Sequence, residues 1–185
     1  MTIHAPARLG LIGGECTGKS ALAQALAEGL PACKVSEALR DVVERTGRAP
    51  SRVEQRDLMI EQQAREDAAA GTCLRSTLVA DPAPLMTAVY SLLYFDDDSL
   101  VAEALELARG YALLAWCDVD VPWQPDGPQR DGPDHRDRAH AIIADLVRTQ
   151  LAPRGIAVVR ASGPLPVRVE AVRRAWQPRG HLGPT

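Results

Sequence analysis

Residues 13 to 20 read Gly13-Gly-Glu-Cys-Thr-Gly-Lys-Ser20 and match the pattern GxxxxGK[ST] at every fixed position. The apolar run Arg8-Leu-Gly-Leu-Ile12 precedes them and is typical of a buried strand. Residues 18–30 follow with apolar side chains at helical spacing. A glycine-rich loop between a strand and a helix is the context in which this pattern binds phosphate. The alternative, a chance glycine-rich turn, explains the flanking elements less well.

The residue types in this loop suit a nucleotide. Its glycines let the backbone turn tightly, so that successive N–H groups converge on phosphate oxygens, and the following helix adds the positive end of its dipole. Lys19 would neutralise the β- and γ-phosphates of ATP, and the Ser20 hydroxyl would coordinate Mg²⁺. The predicted nucleotide-binding residues are Gly13, Gly14, Glu15, Cys16, Thr17, Gly18, Lys19, Ser20 and Ala21.

Short apolar runs alternate with longer amphipathic stretches along the whole chain. Strands are predicted at residues 8–12, 32–36, 77–80, 111–117 and 156–160. Helices are predicted at residues 18–30, 37–45, 52–70, 85–94, 99–109, 136–151 and 167–176, with Gly71 as C-cap of the third and Asp97 or Asp98 as N-cap of the fifth. This alternation indicates crossover connections and a parallel sheet. We therefore predict one α/β domain over residues 1–185. Its fold is predicted to be a P-loop NTPase three-layer sandwich, with a five-stranded parallel sheet flanked by helices. Residues 1–7 and 177–185 are predicted to be flexible tails.

Two carboxylates follow predicted strands, and in parallel sheets ligands bind at the carboxyl ends of the strands. Asp81 follows residues 77–80 and is predicted to hold Mg²⁺ directly or through water; the alternative is a turn-capping acid before Pro82. Glu37 follows the second strand and is predicted to orient or deprotonate an attacking hydroxyl; the alternative is an acid favoured by the helix dipole. Arg40 would pair with Glu37 or contact the substrate.

A long polar segment at residues 121–138 follows the fourth predicted strand. Long structureless loops in compact domains are usually lids or binding loops. At least one of its arginines, Arg130, Arg136 or Arg138, is predicted to close over the phosphates and stabilise the group in transfer. The alternative is a solvated surface loop.

Aromatic residues are only 4% of the chain, so those near the predicted site are informative. Trp123 lies in the polar segment, where it would stack on a flat ring or anchor the loop. Tyr90 and Tyr94, one helical turn apart after Asp81, have two interpretations of the same kind: substrate contact or core packing. His135 is a candidate phosphate contact.

Composition limits the classes of function. A net charge of -3 and a pI near 5.8 argue against a nucleic-acid binder driven by bulk charge. No apolar run approaches the ~20 residues of a membrane helix, and the first residues lack the features of a signal peptide, so we expect a soluble, cytoplasmic protein without a membrane partner. The four cysteines, Cys16, Cys33, Cys73 and Cys117, have no zinc-type spacing and are interpreted as small reduced residues, with Cys16 as the candidate exception.

Further segments carry a family resemblance. They are Val35-Ser-Glu-Ala-Leu-Arg40, Gln62-Gln63 with Glu66-Asp67, Asp81-Pro-Ala-Pro-Leu-Met-Thr-Ala-Val-Tyr-Ser-Leu-Leu-Tyr-Phe95, Asp118-Val-Asp-Val-Pro-Trp-Gln-Pro-Asp-Gly127 and Arg130-Asp131. With the glycine-rich loop they resemble the kinase domain of the NadR type, a nicotinamide riboside kinase, over residues 8–164. The segment that contains Trp123 is more specific than the loop, which many families share. The chain departs from the family after Asp81, where it has Pro-Ala-Pro instead of the expected Thr-Asp or Thr-Asn.

The resemblance implies transfer of the γ-phosphate of ATP to the ribose 5′-hydroxyl of nicotinamide riboside, which gives nicotinamide mononucleotide. It also implies that Trp123 and Tyr90 flank the pyridinium ring, because a cationic ring favours an electron-rich π face. Asp126, Glu37 or Asp81 would hold ribose hydroxyls or balance the positive charge. The helix-turn-helix and adenylyltransferase domains of longer NadR proteins are not expected in this chain.

The predicted catalytic residues are Lys19, Glu37, Asp81, Arg130 and Arg136, and the predicted substrate contacts are Glu37, Arg40, Asp81, Tyr90, Trp123 and Asp126. Ser20 and Asp81 are the predicted metal ligands, and ATP and Mg²⁺ the cofactors. The expected partners are a nucleotide and a small-molecule substrate but no nucleic acid, with a homo-oligomer kept as an alternative to a monomer. Two other functions stay open: a kinase of another nucleoside or nucleotide, and a non-catalytic ATP-binding regulatory module, which the Pro-Ala-Pro departure motivates.

Overall fold

The structure, a computed structural model, describes residues 5–123 and 132–176. Its centre is a five-stranded sheet in which all paired strands run parallel, in the order β2-β3-β1-β4-β5. The strands are β1 (Ala7–Ile12), β2 (Ala32–Val35), β3 (Thr77–Ala80), β4 (Tyr111–Cys117) and β5 (Val158–Ala161). The fold class predicted from the sequence is confirmed.

Helices connect the strands and cover both faces of the sheet. They are α1 (Lys19–Gly29), α2 (Ala38–Thr46), α3 (Gln55–Thr72), α4 (Leu85–Phe95), α5 (Val101–Ala108), α6 (Pro133–Leu146) and α7 (Leu165–Ala175). A 3-10 turn (Arg52–Glu54) precedes α3, and a π-helical turn (Val147–Leu151) with a 3-10 turn (Ala152–Arg154) follows α6. Within residues 5–123 and 132–176, no helix has both the length and the apolar character to cross a membrane.

The central strand β1 faces two separate apolar layers. Its Leu9 and Leu11 are fully buried in a layer formed with α1 and α7, whereas Ile12 is fully buried in a layer formed with α4, α5 and α6. Burying such side chains stabilises the fold by about 1.5–3 kcal/mol each. Because β1 pairs with both β3 and β4, the residues that follow these three strands meet at one edge of the sheet.

Helix α3 runs through Gly71 and ends at Thr72, so the prediction that Gly71 is the C-cap is wrong. Cys73 is the C-cap, and its N–H donates to the Ala69 carbonyl oxygen over 2.8 Å. The helical hydrogen bonding simply continues past the glycine, since no left-handed turn is needed there.

Two other helix starts differ from the predictions. The N-cap of α5 is Leu100, not Asp97 or Asp98; the Asp97 side chain instead accepts a hydrogen bond from the Ser99 N–H at 3.1 Å. Helix α6 begins at Pro133, before the predicted start at residue 136. Proline suits this first position because its missing N–H would have no partner inside the helix and its φ is already helical.

Cys33 and Cys73 form a disulfide, which corrects the interpretation of both as reduced residues. Cys33 lies in β2 opposite Leu78 of β3, and Cys73 ends α3 shortly before that strand. Their Cα atoms are 6.1 Å apart although 40 residues separate them in sequence, a distance within the range that a disulfide spans. Cys117 is a free, buried thiol, which agrees with its interpretation as a reduced residue, and burial raises its pKa to about 11.

Candidate functional site

The glycine-rich loop, residues 13–20 and hereafter the P loop, leaves β1 and enters α1 as predicted. Gly13 and Gly18 have φ angles of 152° and 79°, which side-chain-bearing residues rarely adopt. A Cβ atom on Gly13 would lie 2.8 Å from Thr17 Oγ1 and 3.1 Å from Cys117 Cβ, so only glycine fits. The backbone therefore curls tightly in front of α1, as in the anion-binding nests of phosphate sites.

Two side chains of the P loop close back onto one carbonyl group. Lys19 Nζ donates to the Gly14 carbonyl oxygen over 2.7 Å, and Thr17 Oγ1 donates to the same oxygen over 2.8 Å. Thr17 is buried, while Lys19 is half-buried. The ammonium group thus lies across the mouth of the loop, where it can meet a phosphate.

The start of α6 packs directly against the P loop. A Cβ on Gly14 would be 3.2 Å from the Arg136 carbonyl oxygen and 3.3 Å from Ala139 Cβ. Helix α6, which begins within the predicted lid segment, is therefore in contact with the backbone of the P loop.

Arg168 on α7 ties three loops together, and the sequence analysis missed it. Its side chain is 2% exposed. It donates to the Thr17 carbonyl oxygen at 2.6 Å and to the Gly163 carbonyl oxygen at 2.7 Å, and it forms an ion pair with Asp120. The available signal was spacing: Arg168 lies four residues before Val172 on the buried stripe of α7.

Glu37 follows β2 and is the N-cap residue of α2, at the edge of the sheet where the P loop lies. Its side chain is 24% exposed, and Arg40 Nε lies 3.5 Å from its carboxylate, which is the first of the two roles predicted for Arg40. Burial is the main cause that raises the pKa of Glu37; the charges of Lys19 and Arg40 lower it, and that of Asp81 raises it. Glu37, Lys19 and Asp81 are therefore close enough to influence one another.

Asp81 follows β3 as predicted and is buried. Its N–H donates to the Val35 carbonyl oxygen over 3.0 Å, which joins the ends of β2 and β3, and the Asp81–Pro82 peptide bond is cis. Ser20 is exposed in the first turn of α1. The carboxylate and hydroxyl oxygens are hard ligands that suit Mg²⁺, which keeps waters and phosphate oxygens in its remaining positions.

A narrow cleft separates α2 from α4, and it is called the Glu37 cleft here. Among the residues that line it are Glu37, Ala38, Gln62, Ala83, Met86 and Tyr90. Its volume is about 20 Å³, enough for a water molecule. Met86 links the cleft to the P loop, because its Sδ accepts a hydrogen bond from the Gly13 N–H at 3.3 Å.

A larger cavity of about 470 Å³ lies on the side of β4 and β5, and it is called the Arg168 cavity here. Its lining includes Gly18, Ala21, Asp120, Gly163, Leu165 and Arg168. Gly163 N–H donates to the Asp120 carboxylate over 2.5 Å. The cavity is therefore bounded by the P loop, the segment after β4 and the segment after β5.

The described part of the predicted lid is held against the protein. Arg136 Nη1 donates to the Val121 carbonyl oxygen over 2.9 Å, and its guanidinium carbon lies 5.7 Å from the centre of the Trp123 ring. Arg138 donates to the Leu93 carbonyl oxygen over 3.4 Å. In this arrangement Arg136 and Trp123 contact each other. Arg130 and Asp126 lie outside the described residues.

The other predicted aromatic contacts lie along α4 and α6. The rings of Tyr90 and Tyr94 are stacked with centroids 6.0 Å apart, and the His135 ring lies 5.9 Å from that of Tyr94. Tyr90 thus faces the Glu37 cleft while it also packs along its own helix. Tyr94 and His135 pack on each other.

The described part of the chain contains no metal site built from protein side chains alone. No group of three or more His, Cys, Asp and Glu side chains within residues 5–123 and 132–176 is arranged to hold a metal ion. A site that uses Ser20 and Asp81 would need phosphate oxygens to complete it.

Comparison with known proteins identifies the family and the fold. A family model described as AAA domain matches residues 8–168. The structure of NadR protein in complex with NR superposes with a TM-score of 0.73 at 18% sequence identity, and that of NadR with NAD and AMP-PNP with a TM-score of 0.71 at 18% identity. Thymidylate kinase from Ehrlichia chaffeensis has a TM-score of 0.66 at 13% identity. The resemblance to NadR seen in the sequence is thus confirmed at the level of the fold, which is that of P-loop kinases.

The coverage of these matches is unequal. Each alignment with a NadR structure includes 93% of this chain. It includes only 51% and 50% of the two NadR chains, so this chain spans about half of their length. It is covered to 94% by the thymidylate kinase and spans 100% of that chain. No curated protein matches the sequence.

Proposed function

We propose that this chain, which belongs to the AAA domain family by a match over residues 8–168 and shares its fold with NadR in complex with NR, is an ATP-dependent small-molecule kinase acting on nicotinamide riboside. The γ-phosphate would pass to the ribose 5′-hydroxyl: the bond from the γ-phosphorus to the bridging oxygen of ADP breaks, and a bond to the 5′-oxygen forms. The products are ADP and nicotinamide mononucleotide.

The observation that carries this proposal is the position of two cavities on opposite sides of the P loop. The Glu37 cleft lies on the side of β2 and β3, and the Arg168 cavity lies on the side of β4 and β5, with β1 and the P loop between them. A donor nucleotide with its base in the Arg168 cavity would extend its phosphates along the P loop toward Glu37. The acceptor would then meet the γ-phosphate from the Glu37 cleft.

The charge of the Glu37 cleft favours a nucleoside over a nucleotide as acceptor. Within the described part of the chain, Glu37 is the one charged side chain among the residues that line it. An acceptor that carries a phosphate would need cationic groups there. A cationic pyridinium nucleoside instead suits a carboxylate and the face of Tyr90.

Glu37 is the proposed base. Burial raises the pKa of its carboxyl group, which brings it toward the range in which a carboxylate accepts a proton effectively. In the proposed step the 5′-hydroxyl proton passes to the Glu37 carboxylate as the oxygen attacks. Lys19 would stabilise the charge on the transferring group, and Mg²⁺ held by Ser20, Asp81 and the phosphates would neutralise the oxygens.

The proposal requires the Glu37 cleft to widen. Its volume of about 20 Å³ is far below the roughly 300–1,000 Å³ of small-molecule sites. Helix α2 would have to move away from α4 when the acceptor binds. Tyr90 would then contact the ring from α4, and Trp123 would contact it only after leaving Arg136.

An acceptor panel tests the proposal. Phosphate transfer from ATP is measured with nicotinamide riboside, uridine, adenosine and thymidine monophosphate, with Glu37→Gln as the matched inactive control. We expect nicotinamide riboside to have the highest kcat/KM and the Glu37→Gln variant to lose transfer while it still binds ATP. A higher kcat/KM for a neutral nucleoside or for the monophosphate would overturn the choice of acceptor. ATP binding without transfer to any acceptor would favour a regulatory module instead.

A further inference from the structure

Helix α2 starts directly after Glu37 without help from a side chain of its own. Its N-cap residue makes no side-chain capping hydrogen bond. The first N–H groups of any helix lack partners inside it and must find them elsewhere. Here the Ala38 N–H donates to Oε1 of Gln62 over 2.8 Å, in a buried contact with a residue of α3.

The side-chain amide of Gln62 has only one orientation that satisfies its neighbours. Its Nε2 faces Glu66 Oε1 at 3.4 Å while its Oε1 faces the Ala38 N–H. A flipped amide would set its NH₂ against the N–H of Ala38 and its oxygen against the Glu66 carboxylate. The contact with Ala38 would then be repulsive, as would the contact with the ionised Glu66 carboxylate, so ionised Glu66 helps to fix the direction in which Gln62 presents its oxygen.

Glu66 is in turn held by the centre of the sheet. Its side chain is fully buried. It accepts a hydrogen bond from Tyr111 Oη of β4 at 2.5 Å, and Arg8 Nη1 of β1 lies 3.8 Å away. Asp67 on the same helix adds a negative charge nearby, which Arg8 Nη2 meets at 2.5 Å. A continuous set of contacts therefore runs from β1 and β4 through Glu66 and Gln62 to the backbone beside Glu37.

We propose that Gln62 is a positioning residue for Glu37, with Glu66 as the group that orients its amide. This inference rests on the proposed role of Glu37 as base. The Ala38 N–H belongs to the peptide group that follows Glu37, so its hydrogen bond holds the ψ torsion of Glu37 and with it the direction in which the Glu37 side chain leaves the start of α2. The proposal gives a function to Gln62 and Glu66, which lie on α3 outside the P loop, Gln62 in the lining of the Glu37 cleft.

The substitution Gln62→Met tests the contact, because it keeps the length of the side chain and removes the acceptor. Gln63→Met is the matched control, since it makes the same change at the next position of α3, where the side chain bonds Asp67 instead. We expect Gln62→Met to lower kcat by about ten- to a hundred-fold, the size of effect that misplacement of a reacting group produces, with KM for ATP unchanged. Gln63→Met should retain the kcat of the wild type.

A double-mutant cycle separates positioning from a general loss of structure. If Gln62 acts through Glu37, Gln62→Met should cost no further activity in a Glu37→Gln background, whose residual transfer is followed in single turnovers at high enzyme concentration. Equal fold-losses in both backgrounds would overturn the proposal. Conservative rescue gives a second check: Glu66→Gln keeps an acceptor for Gln62 and should retain more activity than Glu66→Met.

Amide hydrogen exchange at Ala38 tests the same contact without an activity assay. We expect this amide to lose protection in Gln62→Met but not in Gln63→Met. Equal protection in all three proteins would overturn the positioning role. If Glu37→Gln keeps the kcat of the wild type, the proposed base is wrong; if Glu37→Gln is inactive and Gln62→Met is fully active, the positioning role alone is wrong.

Discussion

Arg168 and Thr17 lie 151 residues apart in sequence, yet the Arg168 guanidinium donates a hydrogen bond to the Thr17 carbonyl oxygen over 2.6 Å. The same guanidinium holds the Gly163 carbonyl oxygen and the Asp120 carboxylate. Arginine suits this role because its planar group carries several donors in fixed directions. Helix α7 therefore supports the P loop from behind and lines the cavity beside it.

Replacing Arg168 by methionine should destabilise the protein and weaken nucleotide binding. The substitution removes the ion pair with Asp120, whose carboxylate keeps the Gly163 N–H, and it leaves the Thr17 and Gly163 carbonyl oxygens without the Arg168 donor. A buried acceptor that loses its donor costs about 1–3 kcal/mol. Chemical unfolding gives the loss of stability, and ATP titration into folded protein gives the loss of affinity. Arg174→Met on the exposed side of α7 is the control, expected within about 0.5 kcal/mol of the wild type. Equal stability of the two variants would contradict the role of Arg168.

The substitution Lys19→Ala should abolish phosphate transfer while the protein stays folded. Lys19 is half-buried and, among the described residues, its side chain donates to a loop carbonyl group, so its removal changes little of the core. Lys34 is the one other lysine of the chain, and its contact is an exposed hydrogen bond to Gln24. Lys34→Ala is therefore a matched control that should keep the turnover of the wild type. Measurable transfer by Lys19→Ala at the rate of Lys34→Ala would show that the P-loop lysine has no role in catalysis.

Much of this site could be predicted from local sequence. The P loop, Glu37 and Asp81 all follow apolar strands, and a parallel sheet brings the ends of such strands to one edge. Each of these site residues directly follows the apolar run that predicts its strand. They can therefore be found without knowledge of long-range packing.

The features that were missed depend on packing between distant segments. The disulfide joins Cys33 to Cys73 across a 40-residue crossover, and no spacing rule predicts that pair. Gln62 satisfies the Ala38 N–H only because α3 packs beside α2, which a helical pattern in one segment does not reveal. Arg168 was overlooked because a charged residue is expected on the exposed face of a helix.

Replacing Trp123 by leucine should raise KM for nicotinamide riboside and leave KM for ATP unchanged. The proposed stacking on the pyridinium ring needs an aromatic face, which leucine lacks, and such a contact contributes about 0.5–2 kcal/mol. Steady-state kinetics with each substrate varied in turn measures both constants. Trp123→Phe is the control and should keep most of the affinity for the acceptor. If Trp123→Leu changes neither constant, the contact between Trp123 and Arg136 serves only to anchor the loop.

Glu66 should make the stability of the protein depend on pH. Burial raises the pKa of its carboxyl group from 4.5 to about 7, while the hydrogen bonds from Tyr111 and Gln62 and the charge of Arg8 oppose that rise. The folded state therefore binds the proton of Glu66 more tightly than the unfolded state does. Its contribution to stability is complete below about pH 4.5 and is lost as the pH rises to about 7.

The variant Glu66→Gln isolates this effect, because the glutamine stays neutral at every pH while the other titrating groups are shared with the wild type. A pKa moved from 4.5 to about 7 corresponds to at most about 3 kcal/mol. We expect the unfolding free energy of the wild type to fall relative to that of Glu66→Gln by up to this amount between pH 5 and pH 8. Chemical unfolding of both proteins at several pH values measures the difference. A difference that stays constant over this range would mean that Glu66 has the same pKa in the folded and unfolded states. Its burial beside Tyr111 would then not disfavour the charged carboxylate.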